Sequence, residues 1–291
     1  MITTLLSLVA AQNLAAPAPM TVPVETPQAN VLMVGAIPYK NFTDIAPIIQ
    51  AKSALSVDLD SGLILYQKNA EQKLPMASLT KLMTAIIILE ENSLSDVVTV
   101  SGEATKIEGS KIWLRKGEKI TVENLIKATL ISSANDAALA LGIYNAGSED
   151  KFVEKMNRKA KVLSLENTNF MNPVGLDEEN HYSTAFDLSI LARYAMTKKT
   201  IREIVIQKEG GIASADGKIT HKLTTTNELL SSYLKVLGLK TGTTDNAGQC
   251  LISVVENEKG NILVNVLLNS PNRFQEAKVL AEWGFRAYKW L

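Results

Sequence analysis

Apolar and polar positions change their period twice along the chain. From Ala51 to Asp60 they alternate, stop at Ser61-Gly62, and resume in strand style from Leu63 to Gln67. Two strands about a short Asp-Ser-Gly turn predict a hairpin. The strongly apolar run from Leu82 to Leu89 predicts a helix from Ser78 to about Asn92, buried on all sides. Val97 to Val100 reads as a short strand, Gly109 to Gly117 as loop and strand, and Val122 to Ile131 as helix. Ser132-Ser-Ala-Asn-Asp136 interrupts the apolar pattern, which returns as helix over Ala137 to Tyr144 and, amphipathically, over Glu149 to Leu163. Phe170 to Ser183 reads as loop, Thr184 to Met196 as a helix with Phe186, Leu188, Leu191 and Tyr194 at helical spacing, and Lys198 to Gln207 as another. The last third returns to strands at Gly238 to Thr244, Cys250 to Glu256 and Ile262 to Leu268, with turns at Asp245 to Gly248 and Glu258 to Gly260. Arg273 to Trp290 closes the chain as an amphipathic helix. Strands, a helical block, then strands and a helix predict an α+β fold. Both chain ends would build one antiparallel sheet flanked by helices, with a mainly helical subdomain beside it.

The first 24 residues hold no charged side chain. Leu5 to Ala11 is a short apolar core, followed by Ala15-Ala-Pro-Ala-Pro19. This resembles the apolar region and cleavage zone of a secretory signal, although no Lys or Arg precedes the core. The run is too short and too proline-broken for a spanning helix of about 20 apolar residues. Residues 1–19 are therefore expected to be a signal-like segment and 20–47, with Pro23, Pro27, Pro38 and Pro47, a linker. Residues 48–291 are expected to form one domain.

Composition narrows the chemistry. The 291 residues carry 30 acidic and 30 basic side chains, so net charge gives no reason to expect nucleic acid. Cys250 is the single cysteine, which excludes a disulfide framework and a cysteine-based metal site. Only His181 and His221 could add imidazole ligands, and no HExxH, P-loop or GxGxxG pattern occurs. No metal and no cofactor are expected.

A serine and a lysine three residues apart, Ser78 and Lys81, stand at the head of the apolar helix. One turn of helix brings such a pair together, so Lys81 can act as base to a Ser78 nucleophile. S-x-x-K alone is weak, since Ser148/Lys151 and Ser232/Lys235 also match. S-x-N occurs at Ser133/Asn135 and Ser270/Asn272, and K-T-G once, at Lys240. Requiring S-x-x-K, then S-x-N, then K-T-G leaves a single solution: Ser78, Ser133, Lys240. That ordered trio marks penicillin-binding proteins and class A β-lactamases.

The likeness extends past the trio. Ala77-Ser-Leu-Thr-Lys-Leu-Met-Thr-Ala85, Asn172-Pro-Val-Gly-Leu176 with His181-Tyr-Ser-Thr-Ala-Phe-Asp187, and Gly238-Leu-Lys-Thr-Gly-Thr-Thr-Asp-Asn-Ala-Gly248 resemble segments of the D-alanyl-D-alanine carboxypeptidases. These are low-molecular-mass penicillin-binding proteins of the serine β-lactamase-like family. The resemblance covers residues 50 to 291 and implies a β-lactamase/transpeptidase-like fold. It implies Ser78, Lys81 and Ser133 as catalytic residues, with Ser133 relaying a proton to the leaving group. It implies Asn135, Lys240, Thr241, Gly242, Thr243 and Thr244 as substrate-binding residues, and the backbone N–H groups of Ser78 and Thr243 as the oxyanion hole. The implied partners are the D-Ala-D-Ala end of peptidoglycan stem peptides and, as covalent inhibitors, β-lactam antibiotics.

The E-x-x-x-N segment with which a class A β-lactamase activates its deacylating water is absent: no glutamate has asparagine four positions on. The expected activity is therefore a serine D-Ala-D-Ala carboxypeptidase acting outside the cytoplasmic membrane. D,D-endopeptidase, β-lactamase and a non-catalytic penicillin-binding scaffold are the alternatives. Many members carry a β-rich second domain and a C-terminal amphipathic anchor. This chain stops after its closing helix, so peripheral membrane association is expected only through the N-terminal segment. His181 is expected to pack the site's rim rather than act as a base, and Cys250 to be a buried strand residue.

Overall fold

The computed structural model describes residues 37–40 and 44–290. A two-residue strand, β1 (Tyr39–Lys40), is followed by the hairpin β2 (Ser53–Asp58) and β3 (Ile64–Lys68). A 3₁₀ turn at Ala77–Thr80 runs into α1 (Lys81–Glu91). Next come β4 (Val97–Thr99), α2 (Gly102–Lys106), β5 (Lys119–Thr121), α3 (Val122–Ile131), α4 (Asn135–Ala146), α5 (Glu149–Val162), α6 (Ala185–Thr197) and α7 (Lys199–Val205). A second hairpin, β6 (Glu209–Ala213) and β7 (Thr220–Thr224), precedes the long strands β8 (Lys235–Thr244), β9 (Gly248–Glu256) and β10 (Ile262–Ser270). The chain closes with α8 (Arg273–Ala287) and β11 (Tyr288–Lys289).

The main sheet has the order β3-β2-β10-β9-β8, every neighbour antiparallel. The ends of the domain therefore meet in its middle, with Leu55 of β2 opposite Val266 of β10. Every residue of β2 is buried, and so are the middle positions of β9 and β10. The cause is cover on both faces. Leu280 and Ala277 of α8 pack with Leu251 and Leu267, while Ile252, Val254, Val264 and Val266 join the helical core. Helix α1 is the axis of that core, packed by α3, α4, α5 and α6. Its residues Lys81 to Ile88 are all buried, as the unbroken apolar run requires. Thr121, Ser148, Thr184 and Asn272 cap α3, α5, α6 and α8 by accepting a backbone N–H three residues on.

The α+β architecture, the sheet built from both ends and the helical block match the sequence expectation. Four details differ. Ser78 lies in the 3₁₀ turn, and regular α-helix begins only at Lys81. Residues 109–117 contain no strand; the partner of β4 is β5, which begins after Gly117. The stretch expected as linker over 20–47 contributes β1, whose Tyr39 pairs with Lys289 at the end of the closing helix, so that helix stops at Ala287 rather than Trp290. The β6–β7 hairpin was not expected at all. The signal-like residues 1–19 lie outside the described residues.

Candidate active site

The 3₁₀ geometry at Ala77–Thr80 matters because three residues per turn stack positions i and i+3 directly above one another. Lys81 Nζ donates to Ser78 Oγ at 2.7 Å and to Val174 O at 2.6 Å. The Lys81 side chain is fully buried. Burial first, and the nearby Lys240 cation second, hold its amine well below the ordinary lysine range; the Asp136 carboxylate opposes them. A neutral amine beside a serine hydroxyl can accept its proton.

Val174 belongs to the loop 172–176, shaped by one side chain. Asn172 Oδ1 accepts the N–H groups of Val174, Gly175 and Leu176, and its Nδ2 donates to Leu176 O. Thr84 Oγ1 donates to Pro173 O at 2.7 Å, fixing the loop on α1. Gly175, at φ +88°, lies so close to the serine turn that a Cβ would stand 2.0 Å from Ala77 O. Gly175→Ala should therefore push the loop away from Lys81 and lower the melting midpoint by roughly 5–10 °C, as a clash plus left-handed strain worth about 3 kcal/mol predicts. Calorimetry checks this, and an unchanged midpoint would refute the close approach.

Ser133 and Asn135 occupy the turn between α3 and α4, where Ser133 adopts φ 55°. Neither caps α4, whose N-cap is Ala134 with no side-chain bond. Instead Asn135 Nδ2 donates to Glu108 O at 2.6 Å, and Ser133 Oγ accepts from Lys240 Nζ at 2.8 Å. Lys240, 1% exposed, also donates to Thr241 O at 2.8 Å. Burial, then the Arg273 charge, lower its amine to about 7. Asp136, next along α4, is also buried and accepts the N–H groups of Ile112 and Leu114, tying the turn to the loop before it.

Strand β8 is the edge of the sheet and runs beside the serine turn. Gly242 is needed there, since a Cβ would sit 2.9 Å from Ser78 N. Ser78, Ser133, Asn135, Thr241, Gly242, Thr243 and Thr244 all line one cleft of about 210 Å³, with Lys81 and Lys240 beneath two of its serines. Larger depressions exist, including one of about 830 Å³ around Gln67 to Gln72, but they gather no comparable set of groups. The Thr244 hydroxyl also donates to Asp177 Oδ1 at 2.6 Å, which ties the end of β8 to the loop after Leu176.

Two residues the sequence reading passed over belong here. Arg273, the first residue of α8, lines the cleft and donates through Nη1 to Gly242 O at 2.7 Å and Thr243 Oγ1 at 2.6 Å. Thr226 lines it too, its hydroxyl bonded to that of Thr241. His181 is held on both sides: Nδ1 accepts the Met171 N–H at 3.0 Å, so Nε2 carries the proton toward Thr80 Oγ1 at 2.8 Å. Burial lowers its pKa to about 4. A ring so occupied is a buried tie between the serine turn and the loop at Met171, and it is not among the residues lining the cleft. Cys250 is fully buried in β9, as expected.

Known proteins resemble the chain over most of its length. D-alanyl-D-alanine carboxypeptidase DacF of Bacillus subtilis is 40% identical over 218 residues, covering 73% of this chain and 55% of its own. The chain thus spans little more than half of that relative. A D-alanyl-D-alanine endopeptidase of Pseudomonas aeruginosa is 31% identical over 236 residues, covering 79% of this chain and 76% of its own. The crystal structure of the Streptomyces K15 DD-transpeptidase superposes with a TM-score of 0.79 at 30% identity, covering 83% of this chain and 99% of that one. The family model for D-alanyl-D-alanine carboxypeptidases, peptidase S11, matches residues 40–272, and this chain belongs to that family.

Proposed function

We propose that the protein is a serine D-Ala-D-Ala carboxypeptidase that removes the terminal D-alanine from peptidoglycan stem peptides through a Ser78 acyl-enzyme. The observation that carries this reading is the 2.7 Å bond between Ser78 Oγ and the buried amine of Lys81. Neutral Lys81 takes the hydroxyl proton as Oγ attacks the carbonyl between the two D-alanines. The N–H groups of Ser78 and Thr243 face the developing oxyanion. The proton on Lys81 passes through Ser133, whose oxygen Lys240 holds, to the departing amine, and D-alanine leaves with Lys81 neutral again. Water then attacks the ester as Lys81 takes its proton, and Lys81 hands that proton to Ser78 Oγ as the shortened peptide departs. Lys240, Thr241 and Arg273 supply the cations and hydroxyl for the terminal carboxylate. Asn135 holds the substrate amide. No group of three or more His, Cys, Asp or Glu among the described residues could hold a metal ion.

β-Lactams present the same carbonyl and acylate the same serine, and the missing E-x-x-x-N leaves that ester slow to hydrolyse. The substrate places the enzyme outside the cytoplasmic membrane, with the signal-like residues 1–19 as the export segment and residues 48–291 as the catalytic domain. Among the described residues no helix is long and apolar enough to cross a membrane.

The endopeptidase relative supports a second reading, since both reactions cleave after D-alanine at one site. Digested sacculi separate them by mass spectrometry. Loss of single alanines with cross-links intact supports the carboxypeptidase, and loss of cross-links overturns it. Rapid nitrocefin hydrolysis would instead identify a β-lactamase.

The two lysines also set the pH profile. The rate rises with pH as Lys81 loses its proton, far below 10.5, and falls as Lys240 loses the charge that holds the carboxylate. In the free enzyme that descending limb lies near 7, and a bound carboxylate moves it upward. The limb should therefore appear at lower pH in kcat/KM than in kcat. Lys240→Arg, with a permanent charge, should abolish the descending limb while keeping the ascending one. A descending limb that survives would assign it to another group.

A further inference from the structure

Trp113 is 73% exposed, yet its backbone is held in the left-handed region at φ 64°. Residues other than glycine adopt that conformation only at a cost, and such strain collects where a side chain must be aimed. Both neighbours are pinned. The Ile112 and Leu114 N–H groups donate to Asp136 at 3.3 and 3.0 Å, and Ile112 O accepts from His221 Nδ1 at 2.9 Å. The opposite nitrogen of that ring meets Glu118 Oε1 at 2.8 Å, a buried pair that fastens the loop to β7. The Ile112 and Leu114 side chains turn inward and are buried. A rigid loop thus turns one ring outward. Lys111 Nζ lies 4.8 Å from its centroid and covers one face, leaving the other to solvent.

The position gives the ring a purpose. Ser110, three residues back, lines the cleft, so Trp113 lies within about 10 Å of chain from the substrate. A stem peptide is joined through its N-terminal end to a sugar of the glycan strand. With its C-terminal end at Ser78, four or five extended residues carry that sugar roughly 15 Å away, to the rim. We infer that Trp113 is a stacking platform for a sugar ring of the glycan strand that bears the stem peptide. This rests on reading the cleft as a stem-peptide site. A pyranose offers a flat apolar C–H face that fits an indole, and a ring fixed in advance loses little freedom on binding. The cations Lys111, Arg115 and Lys116 would also suit an anionic bilayer. A single exposed ring, its apolar neighbours buried, offers little area for such a surface, where affinity scales with the apolar area inserted.

The test compares Trp113→Ala and Trp113→Phe with the unaltered protein on two substrates, a short D-Ala-D-Ala peptide and the same peptide on its disaccharide. Trp113→Ala is expected to leave kcat/KM on the short peptide within about twofold and to lower it about tenfold on the glycan-linked one, with Phe largely restoring it. Equal losses on both substrates would make the loop merely structural, and no loss on either would remove Trp113 from recognition; each overturns the inference. Calorimetric titration with peptide-free glycan strands is independent of turnover. Saturable binding that Trp113→Ala abolishes supports the platform even if the peptidase reading fails, and absence of binding overturns it. Binding to phosphatidylglycerol vesicles that depends on Trp113, with no glycan effect, would assign the ring to a membrane instead.

Discussion

Ser78→Ala is expected to abolish covalent labelling by fluorescent penicillin and to reduce D-alanine release by a factor of about 10³ or more. No other hydroxyl can replace it. Ser133 is the nearest rival, but Lys240 holds its oxygen at 2.8 Å and Lys81 does not bond to it. Because Ser78 is partly exposed and the missing hydroxyl frees Lys81 only from one of two acceptors, the melting midpoint should move little. Labelling and mass spectrometry of the intact protein decide the matter. A penicilloyl adduct on Ser78→Ala would refute the assignment of the nucleophile.

Lys81→Met should cost activity on the same scale, by a factor of about 10³, while raising thermal stability. The unfolded chain binds a proton at Lys81 that the folded protein excludes. Each pKa unit of lowering costs about 1.4 kcal/mol of folding free energy. Methionine fills a similar volume without that cost. Against this, Val174 O loses its donor, worth about 1–3 kcal/mol. Complete burial beside a second buried lysine makes the cost of the amine the larger quantity. Stability due to the neutral amine rises with pH toward 10.5, because the unfolded state there stops gaining from protonation. The advantage of methionine should therefore grow as pH falls toward the lowered pKa of folded Lys81, and shrink as pH rises toward 10.5. A melting midpoint below that of the unaltered protein at pH 7 would show that the Val174 bond outweighs the burial.

The same contrast explains what could be read from the chain. Ser78, Ser133 and Lys240 were legible because their chemistry is written as short local triplets whose order admits one solution. The helices were legible where caps and an apolar stripe coincide, as at Thr184 and its run to Met196. Arg273 was not. It opens a helix, matches no triplet, and reaches the cleft only because α8 folds back across β9. The β6–β7 hairpin carries Gly210-Gly211 and threonines in place of alternating apolar residues. It holds through a register of backbone pairs and through His221, whose partner Glu118 is 103 positions away. The 109–117 loop looked partly like strand because Ile112-Trp-Leu114 is a short apolar run between polar residues. Their burial serves the Asp136 clamp rather than a ladder. Such long-range partners leave no periodic trace in a single sequence.

The pairing of β2 with β10 bears on how the protein comes to exist. Leu55 and Val266 are neighbours across the sheet, so its centre cannot assemble until almost the whole domain is available. Closing a loop of that length is slow, and a nascent chain lacking β10 exposes the apolar faces of β2. Folding is thus deferred until synthesis is nearly finished. A polypeptide that stays open for so long suits a route that threads chains through a pore before they fold.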